Sequence, residues 1–195
     1  MKRLLITSIL LLFSIFYHSC NTGGLDDLDK GQYNLHAERY RHSNPDSTIY
    51  YALLSLDNSY QAEHEFYSHY LIAYAHEKKT EFKEAAISYE SAINSIPIGK
   101  EYDLYRFKIL FNLGRIMYFY GNHDLAVAYF QKAKAYTPEN KEKTLNYILG
   151  IALIRNNDAK EATEAYLVSL GIAQREDNIL KESEIQHQRG LLYGS

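Results

Sequence analysis

The chain has 195 residues, 46% of them apolar and 23% charged, with a formal net charge of −3. That composition is globular and too apolar for a disordered chain, and its acidic balance runs against broad nucleic-acid affinity, which needs a cationic footprint. A single cysteine excludes an intramolecular disulfide framework and any Cys-rich zinc ribbon, while only three prolines and ten glycines leave little room for long linkers. One compact domain is the natural reading.

The first element is an address. Lys2 and Arg3 precede Leu4–Phe16, in which ten of thirteen residues are apolar. At about 1.5 Å per residue such a run falls short of a hydrocarbon core of about 30 Å, which needs about 20 residues. A basic start and a short apolar run instead make a secretory signal. The run stops at Ser19-Cys20, the only thiol. This pattern resembles a bacterial lipoprotein signal peptide, which implies that Cys20 is acylated (palmitate-type chains) and becomes the mature N-terminus. Tyr17 and His18 depart from the usual lipobox and Ser19 fits it. A plain secretory signal or a short buried helix are the alternatives. The expected organisation is a signal peptide at 1–19, a lipidated Cys20 with a short linker over 20–31, and a helical-repeat domain over 32–195. Removing Lys2 and Arg3 takes the formal charge to −5.

The remainder is repetitive. Residues 72–97, 113–138 and 149–174 align without gaps. Each opens on an apolar–small pair: Ile72-Ala73, Leu113-Gly114, Leu149-Gly150. Each then places Ala85, Ala126 or Ala162, followed four residues on by Tyr89, Phe130 or Tyr166, and three further on by Ala92, Ala133 or Ser169. Pro97 and Pro138 close two of the units. Small residues let two helices approach, and the ring fills the space beside them. The pattern resembles the tetratricopeptide repeat (TPR), a 34-residue antiparallel helix pair, with Ala73, Gly114 and Gly150 at position 8 and the rings at position 24. Gly121 and Asn157 fall at the turn within each pair, where positive φ is often needed; Thr80 departs from that preference. The spacing implies a seven-residue and a two-residue insertion between units. Ahead of them, Asn44-Pro45-Asp46-Ser47 reads as a turn and helix start, with Thr48 and Ser55 in the phase of a degenerate leading repeat. Ile185–Tyr193 supplies a trailing helix, which caps the array or marks a fragment of a longer chain. The expected fold is therefore an all-α TPR helix-turn-helix solenoid of three clear repeats, one degenerate leading repeat and one trailing helix.

The resemblance implies that the first helix of each pair lines a concave groove. The residues it places there are Tyr33, Tyr67, Tyr70, Tyr74, Lys78, Lys108, Phe111, Arg115, Tyr118, Tyr147 and Arg155. Lys30, Arg41, Tyr40 and Phe119 add to the same surface, against Glu77 as its acidic member. Tyrosine offers apolar area with a hydroxyl handle, and arginine binds carboxylates in a fork. Together they suit a protein or peptide partner of acidic character; equally, the rings can serve as packing between neighbouring helices. Aromatic residues at position 5 depart from the Lys/Asn clamp of co-chaperone TPR domains, which disfavours a chaperone-tail ligand.

Residues that would carry chemistry are sparse. His64 and His69 bracket a stretch one residue longer than a zincin HExxH, so the two rings fall about 140° apart on a helix. No phosphate loop, nucleophile elbow or EF-hand loop is present. The expectation is a non-enzyme without metal or cofactor: a lipid-anchored scaffold in the bacterial cell envelope, its membrane contact made through lipid. The alternative is the sensor portion of a longer signalling or transcriptional regulator. Replacing the acyl acceptor, Cys20→Ser, is expected to move the protein from the membrane to the soluble fraction with loss of fatty-acid label. Retention of an unlabelled protein on membranes refutes the anchor.

Overall fold

The computed structural model describes residues 32–58, 61–175, 184–188 and 190. The expected leader, Cys20, the linker and the last five residues lie outside the described residues. The described residues form no strand. They run as α1 (Tyr33–Tyr40), α2 (Pro45–Asn58), α3 (Ala62–Lys78), α4 (Phe82–Ser95), a 3-10 turn (Lys100–Tyr102), α5 (Asp103–Phe119), α6 (His123–Lys134), α7 (Glu139–Arg155) and α8 (Ala159–Arg175). Residues 184–188 are again helical. Consecutive helices pair as α1/α2, α3/α4, α5/α6 and α7/α8, and each pair stacks on the next. The architecture is an all-α solenoid of helix hairpins.

Each hairpin closes in the same way. Ala85, Tyr89 and Ala92 of α4 are fully buried, as are Ala126, Phe130 and Ala133 of α6, and Ala162, Tyr166 and Ser169 of α8. A Cβ added to Gly114 would stand 2.6 Å from the Phe130 ring, and one added to Gly150 would stand 2.5 Å from the Tyr166 ring. These two positions hold glycine because the ring lies where a side chain would go. In the leading hairpin Ala37, Ala52, Thr48 and Ser55 are buried in the same phase.

The turns inside the three hairpins after the first share one hydrogen-bond pattern. Glu81 N–H donates to His76 O, Asn122 N–H to Met117 O, and Asp158 N–H to Leu153 O, each at 2.9 Å. This six-to-one bond is the Schellman closure, which needs a left-handed residue just before the donor. Thr80, Gly121 and Asn157 occupy that place at φ of 61°, 76° and 60°. Three of the four second helices are capped by a side chain: Asn44 Oδ1 accepts from Ser47 N–H at 3.0 Å, Asn122 Oδ1 from Leu125 N–H at 3.3 Å, and Asp158 Oδ1 from Glu161 N–H at 3.0 Å.

The seven-residue insertion is the connection from Ile96 to Tyr102 and the extra N-terminal turn of α5. Arg106 secures it, donating to the carbonyls of Pro97 and of Gly99 (2.6 Å) and pairing with Asp103 at 2.8 Å. At the other end, Ile185 is fully buried against Tyr147, Tyr166, Leu170 and Ala173, so the trailing helix covers the last hairpin.

Two substitutions should move stability in opposite directions. Gly150→Ala drives a methyl into the Tyr166 ring and is expected to cost about 1–3 kcal/mol, the scale of overpacking a core. Thr80→Asn relieves a β-branched residue of left-handed backbone and is expected to gain about 1 kcal/mol. Urea denaturation followed by circular dichroism measures both.

Candidate functional site: the groove formed by the first helices

Lys30 lies outside the described residues and Arg41 caps the end of α1; the other residues expected at the groove are carried by the first helix of each hairpin. Tyr33, Tyr70 and Tyr147 are buried; Tyr67, Tyr74, Lys108, Phe111, Arg115 and Tyr118 are half-buried; Lys78 and Arg155 are exposed. Their arrangement divides into three stretches.

The first is an aromatic floor between α3 and α5. Tyr105 meets Phe66, Tyr67 and Tyr70 edge to face, with centroids at 5.5, 5.6 and 5.2 Å. Tyr67 and Tyr70 stack at 6.1 Å, and the Lys108 ammonium lies 5.4 Å from the Tyr105 ring. The Tyr67 hydroxyl donates to Glu38 at 2.7 Å. Burial first, and the Glu38 carboxylate second, push that hydroxyl far above the usual phenol range. Tyr70 is pushed up to about 12, chiefly by burial. Asn34 ties α1 to α3, donating to His64 O at 3.1 Å and accepting from Ser68 Oγ at 2.9 Å.

The second stretch is a polar lattice in which the middle cation is neutralised. Tyr89 donates to Glu77 at 2.9 Å and accepts from Asn112 at the same distance, while Arg115 donates to Glu77 and Asn112 at 3.1 Å each. Burial, followed by the charge of Glu77, raises the Tyr89 hydroxyl well beyond its ordinary range.

The third is a cationic corner around Tyr74. Arg41 stands 5.5 Å and Lys78 5.4 Å from its ring centroid, and its hydroxyl lies 3.2 Å from His42 Nδ1. Lys108 is close enough to feel Arg41: burial, then that guanidinium, hold its ammonium below the usual lysine range.

Farther along, the surface is aromatic. Phe111 packs on Phe107 and Phe130, and Tyr118 lies 5.3 Å from the His123 ring. Tyr147 packs on Tyr166 at 5.9 Å, and its hydroxyl donates to Glu184 of the trailing helix. Arg155 stands at the exposed end of α7.

Glu38, His42 and Tyr105 escaped sequence reasoning. Glu38 and His42 lie off the groove positions of the repeat. Tyr105 precedes the first repeat position, in the turn of α5 that the insertion adds. His69 is half-buried, and that burial holds its imidazole below the ordinary range. A cleft of about 660 Å³ between α4 and α6 is lined by Ile93, Asn94, Arg106, Leu110, Tyr129 and Tyr136.

Comparison with known proteins fits this geometry. The Tetratricopeptide repeat family model matches residues 66–98 and 107–140, the two central hairpins. Among solved structures, the chain is similar to the C-terminal part of a TPR repeat-containing protein from Cytophaga hutchinsonii, with a TM-score of 0.60 and 18% identity. The match covers 87% of this chain and 60% of that one, so this chain spans less than two thirds of the neighbour's length. No curated protein matches. The fold is an all-α TPR solenoid, an architecture typical of non-catalytic protein-interaction scaffolds.

The hydroxyl network makes a prediction for alkaline pH. Tyr67, Tyr70, Tyr89, Tyr147 and Tyr166 all have hydroxyls raised in the fold. An unfolded tyrosine ionises near pH 10, so these protons are bound more tightly by the folded chain. Their contribution is complete below about pH 10 and is lost as pH rises through about 12. The urea midpoint is expected to hold steady from pH 8 to 10 and then fall steeply, together with the appearance of tyrosinate absorbance.

Proposed function

We propose that this protein is a membrane-tethered adaptor that captures a segment of another protein in the groove formed by α1, α3, α5 and α7. The lipid on Cys20 holds the module at the cell envelope, and the groove supplies recognition. A role in envelope assembly follows from that placement. The observation that carries the reading is the juxtaposition of half-exposed tyrosines with Arg41, Lys78 and Lys108, whose cations outnumber the carboxylates beside them. Aromatic rings and arginine are the side chains most enriched where binding energy concentrates. The tether adds function through concentration: once acylated with two or more chains, the module stays at the surface, where a single chain would exchange.

A photoreactive amino acid at position 74, irradiated in living cells, tests the proposal. One dominant protein adduct is expected, and its yield should fall severalfold when Lys78→Glu reverses a neighbouring charge. A well-expressed protein that yields no specific adduct refutes the groove as a recognition surface.

A further inference from the structure

The cationic corner contains a histidine whose protonation state can be read from its partners. Arg41 Nε and Nη2 lie 3.3 and 3.1 Å from His42 Nε2. A guanidinium has only donors, so Nε2 accepts and carries no proton. The proton of the neutral ring is then on Nδ1, facing the Tyr74 hydroxyl at 3.2 Å, with the two rings edge to face at 5.8 Å. Arg41 spends its remaining Nη1 on Glu38 at 3.1 Å. In this state Arg41 is held by its neighbours on α1 and in the loop after it.

The charged groups around His42 come from four elements. Arg41 and Glu38 stand on its own side, Tyr74 and Lys78 face it from α3, and Lys108 of α5 interacts with Arg41 across the groove. From α2, Asp46 is already bound to Lys79 at 2.8 Å. Among the described residues, Arg41, Lys78 and Lys108 against Glu38 leave an excess of positive charge in the corner. Adding a proton to Nε2 turns an acceptor toward the guanidinium into a donor, so Arg41 Nε and Nη2 lose their acceptor beside a new cation. A carboxylate placed between the two rings of charge relieves both, accepting from Arg41 in a fork and from the imidazolium.

Resting on the groove reading above, we propose that Arg41, His42, Lys78 and Lys108 form a carboxylate-binding site for an acidic segment of the partner, and that protonation of His42 frees Arg41 and strengthens capture in mildly acidic surroundings. Histidine is the side chain whose charge changes between about pH 5 and 8. Glutamate side chains of a ligand stay ionised over most of that range, so the change belongs to the protein.

A labelled hexaglutamate peptide is the probe, with hexaglutamine as the neutral control, measured by fluorescence anisotropy at pH 8.0 and 5.8 and low ionic strength. Hexaglutamate is expected to bind about fivefold more tightly at pH 5.8, the effect of one added charge at close range. Hexaglutamine should show no such response. His42 is exposed, so His42→Gln should fold normally. Its amide can still accept from Arg41, and its affinity for hexaglutamate should show no gain between pH 8.0 and 5.8. Lys78→Gln and Lys108→Gln should weaken hexaglutamate at both pH values. A gain on acidification that survives in His42→Gln overturns the proposal, as does equal binding of the two peptides. If neither peptide binds while position 74 still cross-links a partner in cells, the carboxylate site is rejected and the groove reading stands. Loss of both rejects the two together.

Discussion

The three hairpins that follow the first depend on an aromatic ring of the second helix lying against a glycine or alanine of the first. Phe130 on Gly114 and Tyr166 on Gly150 are the tightest cases, and Tyr89 occupies the same place opposite Ala73. The contact fixes the distance between the two helices of a pair, and with it the direction in which the second helix returns. The Schellman closure of the turn and the cap of the second helix can form only when that distance is right. Thr80 shows how strong the constraint is, since a β-branched residue accepts left-handed backbone rather than let the turn take another form.

A second level of order rests on tyrosine hydroxyls. Tyr67 reaches Glu38, Tyr102 reaches Glu63 (3.0 Å), Tyr129 reaches Glu90 (3.2 Å) and Tyr147 reaches Glu184, each pair joining one hairpin to the next. A carboxylate accepting from a hydroxyl is a stronger bond than one between neutral partners. It also specifies register, because the ring must be buried while its oxygen reaches a particular residue on the neighbouring hairpin. Nineteen tyrosines in 195 residues are thus explained in part by assembly. Several of the rings that pack the stack, Tyr67, Tyr70 and Tyr147 among them, are carried by its first helices.

The fold was legible because this packing forces residue identity. Glycine or alanine recurs at the eighth position and a ring at the twenty-fourth in three hairpins, while the degenerate first one, with Ala52 in place of the ring, is located by its turn and by Thr48 and Ser55. The phase also assigns each groove residue to its helix. It does not give depth: Tyr70 and Tyr74 are four residues apart on α3, yet one is buried beneath Tyr105 and the other faces the cations. Nor does it give pairing. Arg115 and Lys78 both read as groove cations, but Glu77 and Asn112 hold the first while the second stays exposed beside Tyr74. Tyr105 was beyond reach because it belongs to a helical turn outside the repeat frame. The partner is illegible for a simpler reason: no packing constraint inside the chain depends on it.

The junction at residues 96–102 shows how such a chain can change without being redesigned. Seven added residues leave the buried positions of both adjoining hairpins in phase, because the extra length is taken up by a 3-10 turn and one more turn of α5, pinned by Arg106. The price is local and falls on a connection rather than on the core. The gain is a tyrosine set over the middle of the groove that the parent repeat does not encode. Novelty therefore enters this architecture at the seams between units, where a mutation can alter what the surface presents while the arithmetic of the interior is left untouched.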